Sequence, residues 1–334
     1  MKNLYKSLFT TTMMMGTAMT ISSNTWMGMW IGLEINLLSI IPLISDNKNS
    51  AEAEAAMKYF IIQAMASTIL LFSIIMILSN KEIMSSKPTS SMIMDSAILT
   101  KMGAAPFHFW FPEVMEGLNW TNSTIMMTWQ KIAPMIIFSY SNKPMMFTCT
   151  VITASMMVSG IMGINQTSMR KILSYSSINH IGWMIGTLIS NQSLWSVYMT
   201  TYTMMTINIT MMFKTLNIFY TNQLMMTLNK QKIIKMMFAL NFLSLGGIPP
   251  TIGFFPKWIT INFMVQEKML AMTTMMIMMT LMTLFMYMRI TIASMITMTE
   301  NTQKENKMNN SMMIMSNFVI LSSLSASTLV YSFI

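Results

Sequence analysis

The sequence predicts an all-α, polytopic membrane protein of about eleven transmembrane helices, on three observations. Charged residues make up only 9% of the 334 residues, against about 25% in a soluble domain. Apolar residues make up 53%, and the remainder is mostly Ser, Thr and Asn, small polar side chains that membrane helices tolerate. Apolar stretches near the roughly 20 residues needed to cross a bilayer core recur from one end of the chain to the other. Lipid as the solvent accounts for all three.

The first stretch, 4–22, follows the start MKNLYK and runs without a small-residue cleavage site into further apolar sequence. It reads as a helix and not as a cleaved presequence. The second, 26–45, carries Glu34, and the third is 57–79. The fourth, 92–111, carries Lys101 and is interrupted by Gly103-Ala104-Ala105-Pro106, then Pro112. The fifth, 122–141, carries Lys131; the sixth is 145–164. The seventh, 171–190, carries His180 in the Ser-rich run SYSSINHIGW. The eighth, 194–220, holds Lys214 near its end. The ninth, 234–265, is interrupted by Gly246-Gly247-Ile248-Pro249-Pro250, then Gly253 and Pro256-Lys257. The tenth, 269–297, carries Arg289, and the eleventh is 312–333. The connectors, such as SDNKNSAEAE, NKQK and TENTQKENKMNN, are too short to be soluble domains, so the whole of 1–334 reads as one transmembrane domain.

With an odd number of spans the termini lie on opposite sides. Lys2, Lys6, Lys48, Lys58, Arg170, Lys171, Lys230, Lys232, Lys235, Lys304 and Lys307 fall on the side of the N-terminus. Only Lys81, Lys87, Lys143 and Lys268 fall on the other. The positive-inside rule places the N-terminus inside. The remaining basic residues, Lys101, Lys131, Lys214, Lys257 and Arg289, lie within spans, as does Glu34.

Several function classes are excluded. The basic residues behind the net charge of +9 are scattered singly or in small clusters between apolar runs, without the basic stripe interleaved with aromatics that nucleic acid requires. Cys149 is the one cysteine, which rules out an internal disulfide and a four-cysteine zinc or iron–sulfur site. His108 and His180 are too few for a metal or haem cage. No glycine-rich dinucleotide or phosphate loop is present. The 50 methionines substitute readily for Leu and Ile in volume; we read them as the mark of an A+T-rich animal mitochondrial genome.

The buried ionisable residues carry the functional argument. At about 1.5 Å of rise per residue, Glu34, Lys101, Lys131 and His180 each lie about 12–14 Å into their helices, near the mid-plane of a ~30 Å core. A row at one depth suits lateral proton hopping. Each such charge costs about 2.5–3.5 kcal/mol on insertion scales, which a merely structural helix has no reason to bear. Structural pairing is the rival reading for Glu34, Lys101 and Lys131, and a satisfied buried histidine for His180. Lys214 and Arg289 read as snorkelling side chains, and His108 as positioning a local turn. Freed backbone groups in lipid must be satisfied by protein or water. The two interruptions fall at the fourth member of each set if spans one to five (1–141) and six to ten (145–297) are inverted repeats, with 312–333 appended. Paired broken helices in inverted repeats point to a transport site.

KMGAAPFHFWFPEV at 101–114, TWQKIAP at 128–134, INQTSMRKILSYSSINHIGW at 164–183, LSLGGIPPTIGFFPKW at 243–258 and EINLLSIIPLI after the second span's start resemble signature segments of the subunit-2 family of mitochondrial NADH:ubiquinone oxidoreductase, the proton-pumping complex I. The resemblance runs through essentially the whole chain, in order, and the family is similar to cation/proton antiporter subunits. It implies inverted five-helix repeats in the mitochondrial inner membrane, with the N-terminus in the matrix and the C-terminus in the intermembrane space. Its buried glutamate falls on Glu34, the lysine of the first broken helix on Lys101, the central lysine on Lys131 and the lysine of the second broken helix on Lys257. It implies a subunit of an NADH:ubiquinone reductase, with NADH, FMN, iron–sulfur clusters and ubiquinone bound by other subunits and none of them by this chain. The expected partners are the other membrane and accessory subunits, inner-membrane phospholipids, protons and channel waters, with no nucleic acid. The rivals are a stand-alone cation/proton antiporter and an inert membrane scaffold.

Overall fold

A computed structural model of the chain describes residues 2–45, 49–79, 87–141, 143–228, 232–249 and 251–296. Among these, regular structure is helical apart from an isolated antiparallel bridge between Ser168 and Tyr220. The eleventh expected span, 312–333, lies outside the described residues. The chain divides into two compact units, 1–154 and 155–334.

In the first unit, α1 (Lys2–Ser22) and α2 (Trp26–Ile44) form a close antiparallel pair. Added side chains at Gly16 or Gly32 would collide with the partner's backbone, the close packing that drives helix association in lipid. α3 (Ser50–Ser79) begins seven residues before the expected apolar stretch, in the charged segment SAEAEAA. Trp30 Nε1 ties α2 to α3 through the Ser67 carbonyl at 3.0 Å. The fourth span is broken as expected, into α4 (Lys87–Met102) and α5 (Trp110–Gly117). The fifth is also broken, into α6 (Trp120–Met127) and α7 (Trp129–Tyr140), with Thr128 between them. The segment 120–131 has no glycine or proline to announce this break. There Lys131 N turns to the Thr128 carbonyl three residues back, at 3.3 Å, the tighter closure of a 3₁₀ turn; Pro134 lies further on, inside α7, and leaves the Gln130 carbonyl without an N–H.

α8 (Met145–Ile164) matches the expected sixth span residue for residue, and the unit boundary falls within it. The second unit is built around α9 (Met169–Ser190), buried from Ile172 to Leu188 without interruption. A helix covered on every side needs no polar face, which is why its Ser, Asn and His side chains show no amphipathic spacing. α10 (Gln192–Leu216), α13 (Phe254–Gln266) and α14 (Leu270–Ile296) pack on it. A short helix absent from the sequence reading, α11 (Thr221–Leu228), precedes α12 (Lys232–Gly246). α12 and α13 are the two halves of the broken ninth span.

The two breaks are built alike. Gly103 and Gly247 close α4 and α12 at φ +76° and +79°. Ala104 N donates to Leu99 O at 3.1 Å and Ile248 N to Leu243 O at 3.3 Å, the six-residue closure of a Schellman turn. The sequences align on the same frame: Gly103, Pro106, Phe111-Pro112 and Glu113 against Gly247, Pro250, Phe255-Pro256 and Lys257. Each helix therefore stops because its C-terminal glycine takes up the left-handed conformation that other residues resist, and each restarts at a Phe-Pro step.

Candidate proton-conducting site

In the first unit, Lys101 lies two residues before the Gly103 break and is 7% exposed. Glu34, half-buried on α2, is within electrostatic reach of it, but no ion pair joins them among the described residues. A small cavity of about 20 Å³ lies beside Lys101, lined also by Asn36, Tyr59, Gln63 and Gln130, with room for about one water. Gln130 Nε2 donates to Asn36 Oδ1 at 3.0 Å, and Gln63 Nε2 is buried with no hydrogen-bond partner among the described residues. A polar pocket with a spare donor is where an internal water has partners.

Lys131 is 2% exposed and follows the Thr128 break by three residues. Its ammonium sits 5.5 Å from the centroid of the Phe111 ring, a cation–π geometry whose strength grows with desolvation. Thr128 stays bonded at the break: its N–H and its Oγ1 both donate to the Thr124 carbonyl, at 3.0 and 2.7 Å, and its own carbonyl accepts from Lys131 N at 3.3 Å.

In the second unit, Lys257 is 7% exposed and stands in the first turn of α13. Its Nζ donates to Gly246 O at 2.8 Å and Leu245 O at 3.3 Å. These carbonyls end α12, where a helix leaves its last acceptors unmet and its dipole favours a cation. At the first break Trp110 Nε1 does the same for the Thr100 carbonyl, at 3.0 Å. Gly247 serves twice here: a methyl group on it would lie 2.9 Å from Lys257 Cδ and 3.0 Å from Nζ. Gly253 has no freedom either, since its added carbon would fall 1.7 Å from the Ser244 carbonyl oxygen.

His180, 1% exposed, has its Nδ1 2.9 Å from Tyr198 Oη and its ring 4.9 Å from that of Tyr202. Tyr198, Tyr202 and Tyr287 are all fully buried. Asn179 reaches Thr283 at 3.2 Å, and Asn208 reaches Asn241 at 3.1 Å. His108 is buried beside the first break, against Phe109. Lys214 is exposed at its helix end, and exposed Arg289 donates through Nη2 to the Ile164 carbonyl.

The structure thus gathers Glu34, Lys101 and the amides of Asn36, Gln63 and Gln130, and sets His180 among phenols. Sequence reading missed the amides, Tyr198, Tyr202 and Asp95. The signal for Asp95 was present, as the single carboxylate of the fourth span. Each of the three buried lysines lies within about one helical turn of a backbone break. Freed carbonyls and admitted water at such a break give a buried cation partners that do not cancel its charge. The arrangement can hold a proton in an apolar interior and release it.

The family described as NADH:quinone oxidoreductase/Mrp antiporter, transmembrane, matches residues 23–283. Among similar proteins, NADH-ubiquinone oxidoreductase chain 2 of Locusta migratoria is 47% identical over 296 residues, 88% of this chain and 86% of that one. The chain 2 of Anopheles gambiae is 43% identical over 99% of each chain, and that of Ceratotherium simum 38% identical over 89% of this chain and 87% of that one. A chain of respiratory complex I from Thermus thermophilus superposes with a TM-score of 0.87 at 19% identity, covering 98% of this chain and 79% of that one. A chain of the Mrp complex from Dietzia does so at 0.77 and 14% identity, covering 96% and 74%. The solved structures establish a shared fold.

Proposed function

The chain belongs to the NADH:quinone oxidoreductase/Mrp antiporter family of transmembrane subunits, and we infer from this that it is a proton-translocating membrane subunit of respiratory complex I. It works as part of an NADH:ubiquinone oxidoreductase, in the respiratory membrane, beside the other subunits of that assembly. Four described helices, Trp26–Ile44, Ser50–Ser79, Met145–Ile164 and Leu270–Ile296, are long and apolar enough to cross a membrane. Eleven spans arranged as two inverted five-helix repeats, with the N-terminus in the matrix, is the organisation we propose. The shared Gly–Pro–Phe-Pro frame of the two breaks supports it. NADH, FMN, iron–sulfur clusters and ubiquinone are assigned to other subunits, consistent with a chain that offers one cysteine and two histidines.

One observation carries the mechanism: Lys101, Lys131 and Lys257 are each buried beside a backbone break. Moving a proton against 100 mV costs about 2.3 kcal/mol. A neighbouring charge that changes in a dry channel supplies energy of that order, since one pKa unit is about 1.4 kcal/mol. In our reading Glu34 sets the charge felt by Lys101. Lys131 then takes a proton from the inner side, and Lys257 passes it outward, with His180 and its tyrosines as a relay. Lys131→Met should leave assembly intact and lower protons moved per NADH in sealed vesicles; an unchanged ratio with unchanged turnover would return Lys131 to a structural role. A stand-alone antiporter is the second reading, favoured by the Mrp likeness. Migration of the native protein within a very large assembly counts against it.

A further inference from the structure

Among the described residues, two buried acids are left unused by the scheme above: Glu52, which accepts from Asn49 Nδ2 at 2.9 Å, and Asp95. Asp95 lies on α4, is 0% exposed, and neither of its carboxyl oxygens accepts a hydrogen bond from a described residue. Ser141, just past the end of α7, comes beside it, but the Ser141 hydroxyl is committed to the Phe138 carbonyl at 3.0 Å. Lys143 is the cation facing it. That lysine is half-buried in the connector after α7, with its ammonium over the Phe138 ring at 5.7 Å from the centroid. Burial lowers the proton affinity of Lys143, and the Asp95 charge opposes this.

Two chemical facts bear on such a group. A buried carboxylate without donors is costly, whereas the protonated acid is neutral and carries its own donor. A cation nearby makes the ionised form reachable again. Asp95 is therefore placed to alternate between the two forms. Its position on the helix gives the alternation a direction. Lys101 is six residues further along α4, about 9 Å by helix rise, toward the break. Lys143 and Ser141 stand at the opposite end, where α7 finishes.

We propose that Asp95 is a proton carrier on the outward side of Lys101, taking a proton from that lysine and releasing it at the Lys143 end of α4. This rests on the proton-translocating reading and on its orientation of the chain. In the first step an N–H bond of the Lys101 ammonium breaks and an O–H bond forms on the Asp95 carboxylate, through intervening water, leaving a neutral amine and a neutral acid. In the second the Asp95 O–H breaks, its proton passes to water on the outer side, and the Lys143 ammonium faces the carboxylate that remains. Lys101 is then reprotonated from the inner side. Charge and protons balance at each step, and no oxidant is consumed.

The test uses the assembled complex in sealed vesicles, in which Lys131→Met has first been shown to lower protons per NADH, so that failure of the wider reading is seen separately. Asp95→Asn keeps the size and removes the proton-carrying acid. We expect turnover to fall about 100-fold or more, the lower end of what a positioned acid or base contributes. Asp95→Glu should restore most of it. The infrared band of a protonated carboxyl that appears during turnover should vanish in Asp95→Asn. Unchanged turnover and proton ratio in Asp95→Asn would overturn the proposal. If Asp95→Asn does not assemble, Lys143→Met decides. It leaves the acid in place and removes the cation that favours release, so slower turnover in an assembled complex supports the carrier, and wild-type turnover refutes it.

Discussion

Gly246 and Gly247 are adjacent, yet alanine should have opposite effects at the two positions. Gly246 ends α12 in helical conformation, and a methyl group there would meet Tyr287 Cδ2 at 3.5 Å and Leu284 Cγ at 3.8 Å, ordinary contact distances. Alanine is favoured over glycine inside a helix by up to about 1 kcal/mol, so Gly246→Ala should be neutral or slightly stabilising. Gly247 sits at φ +79°, where a side chain costs about 1–2 kcal/mol. Its methyl group would also fall 2.9, 3.0 and 3.2 Å from Cδ, Nζ and Cε of Lys257. A flexible lysine yields to such a collision by moving, and in moving it gives up the Gly246 carbonyl, a charged hydrogen bond of about 1.5–3 kcal/mol. The two substitutions should therefore differ by about 1–3 kcal/mol in backbone terms alone. A 1.4 kcal/mol difference is a factor of ten, so the gap is about 10-fold, approaching 100-fold at its upper end, in the population of the native break. The assay is the amount of assembled complex on native gels together with protons moved per NADH in vesicles. Gly247→Ala should assemble less well and pump less per NADH; Gly246→Ala should match the wild type. If the two behave alike, or Gly246→Ala is the worse, Lys257 is not held by the α12 terminus as described.

Three further outcomes follow from the same geometry. Glu34→Gln removes the charge that Lys101 feels and should lower pumping several-fold without loss of assembly, measured as protons per NADH; a wild-type ratio would disconnect the two residues. Pro134→Ala restores an N–H for the Gln130 carbonyl inside α7 and should give a complex at least as stable to heat that pumps less, because the turn carrying Lys131 is re-aimed; unaltered pumping would make Pro134 incidental to the placement of Lys131. Cysteines introduced at Lys2 and in the 299–310 connector should be labelled from the matrix side, and one at Ile334 from the intermembrane side. Labelling of both termini from one side would remove the eleven-span organisation.

Much of the fold was legible in the sequence, because the signal for a membrane helix is local: a run of apolar residues reports its own solvent. α2, α8 and α14 begin and end within a residue or so of the apolar stretches that announce them. The breaks at Gly103 and Gly247 were legible too, since glycine and proline act on the backbone where they stand. The break at Thr128 was missed because residues 120–131 hold no glycine or proline, and the shift of Lys131 N to the Thr128 carbonyl leaves no mark in composition.

By itself the sequence determined that the chain needs lipid, where its helices run, and which residues violate that solvent: Glu34, Lys101, Lys131, His180 and Lys257. Depth along a helix follows from counting residues, and that count is what suggests a common mid-plane for Glu34, Lys101, Lys131 and His180. Which groups meet was not readable. Asn36 and Gln130 are 94 positions apart in sequence, and the 3.0 Å bond between them depends on how α2 and α7 are rotated and how closely they approach. The same holds for Asp95 facing Lys143 across α4 and the end of α7. Only tertiary packing decides these, because a side chain's partner is set by the rotation and offset of helices far apart in the chain, and composition and spacing within one helix carry no information about either.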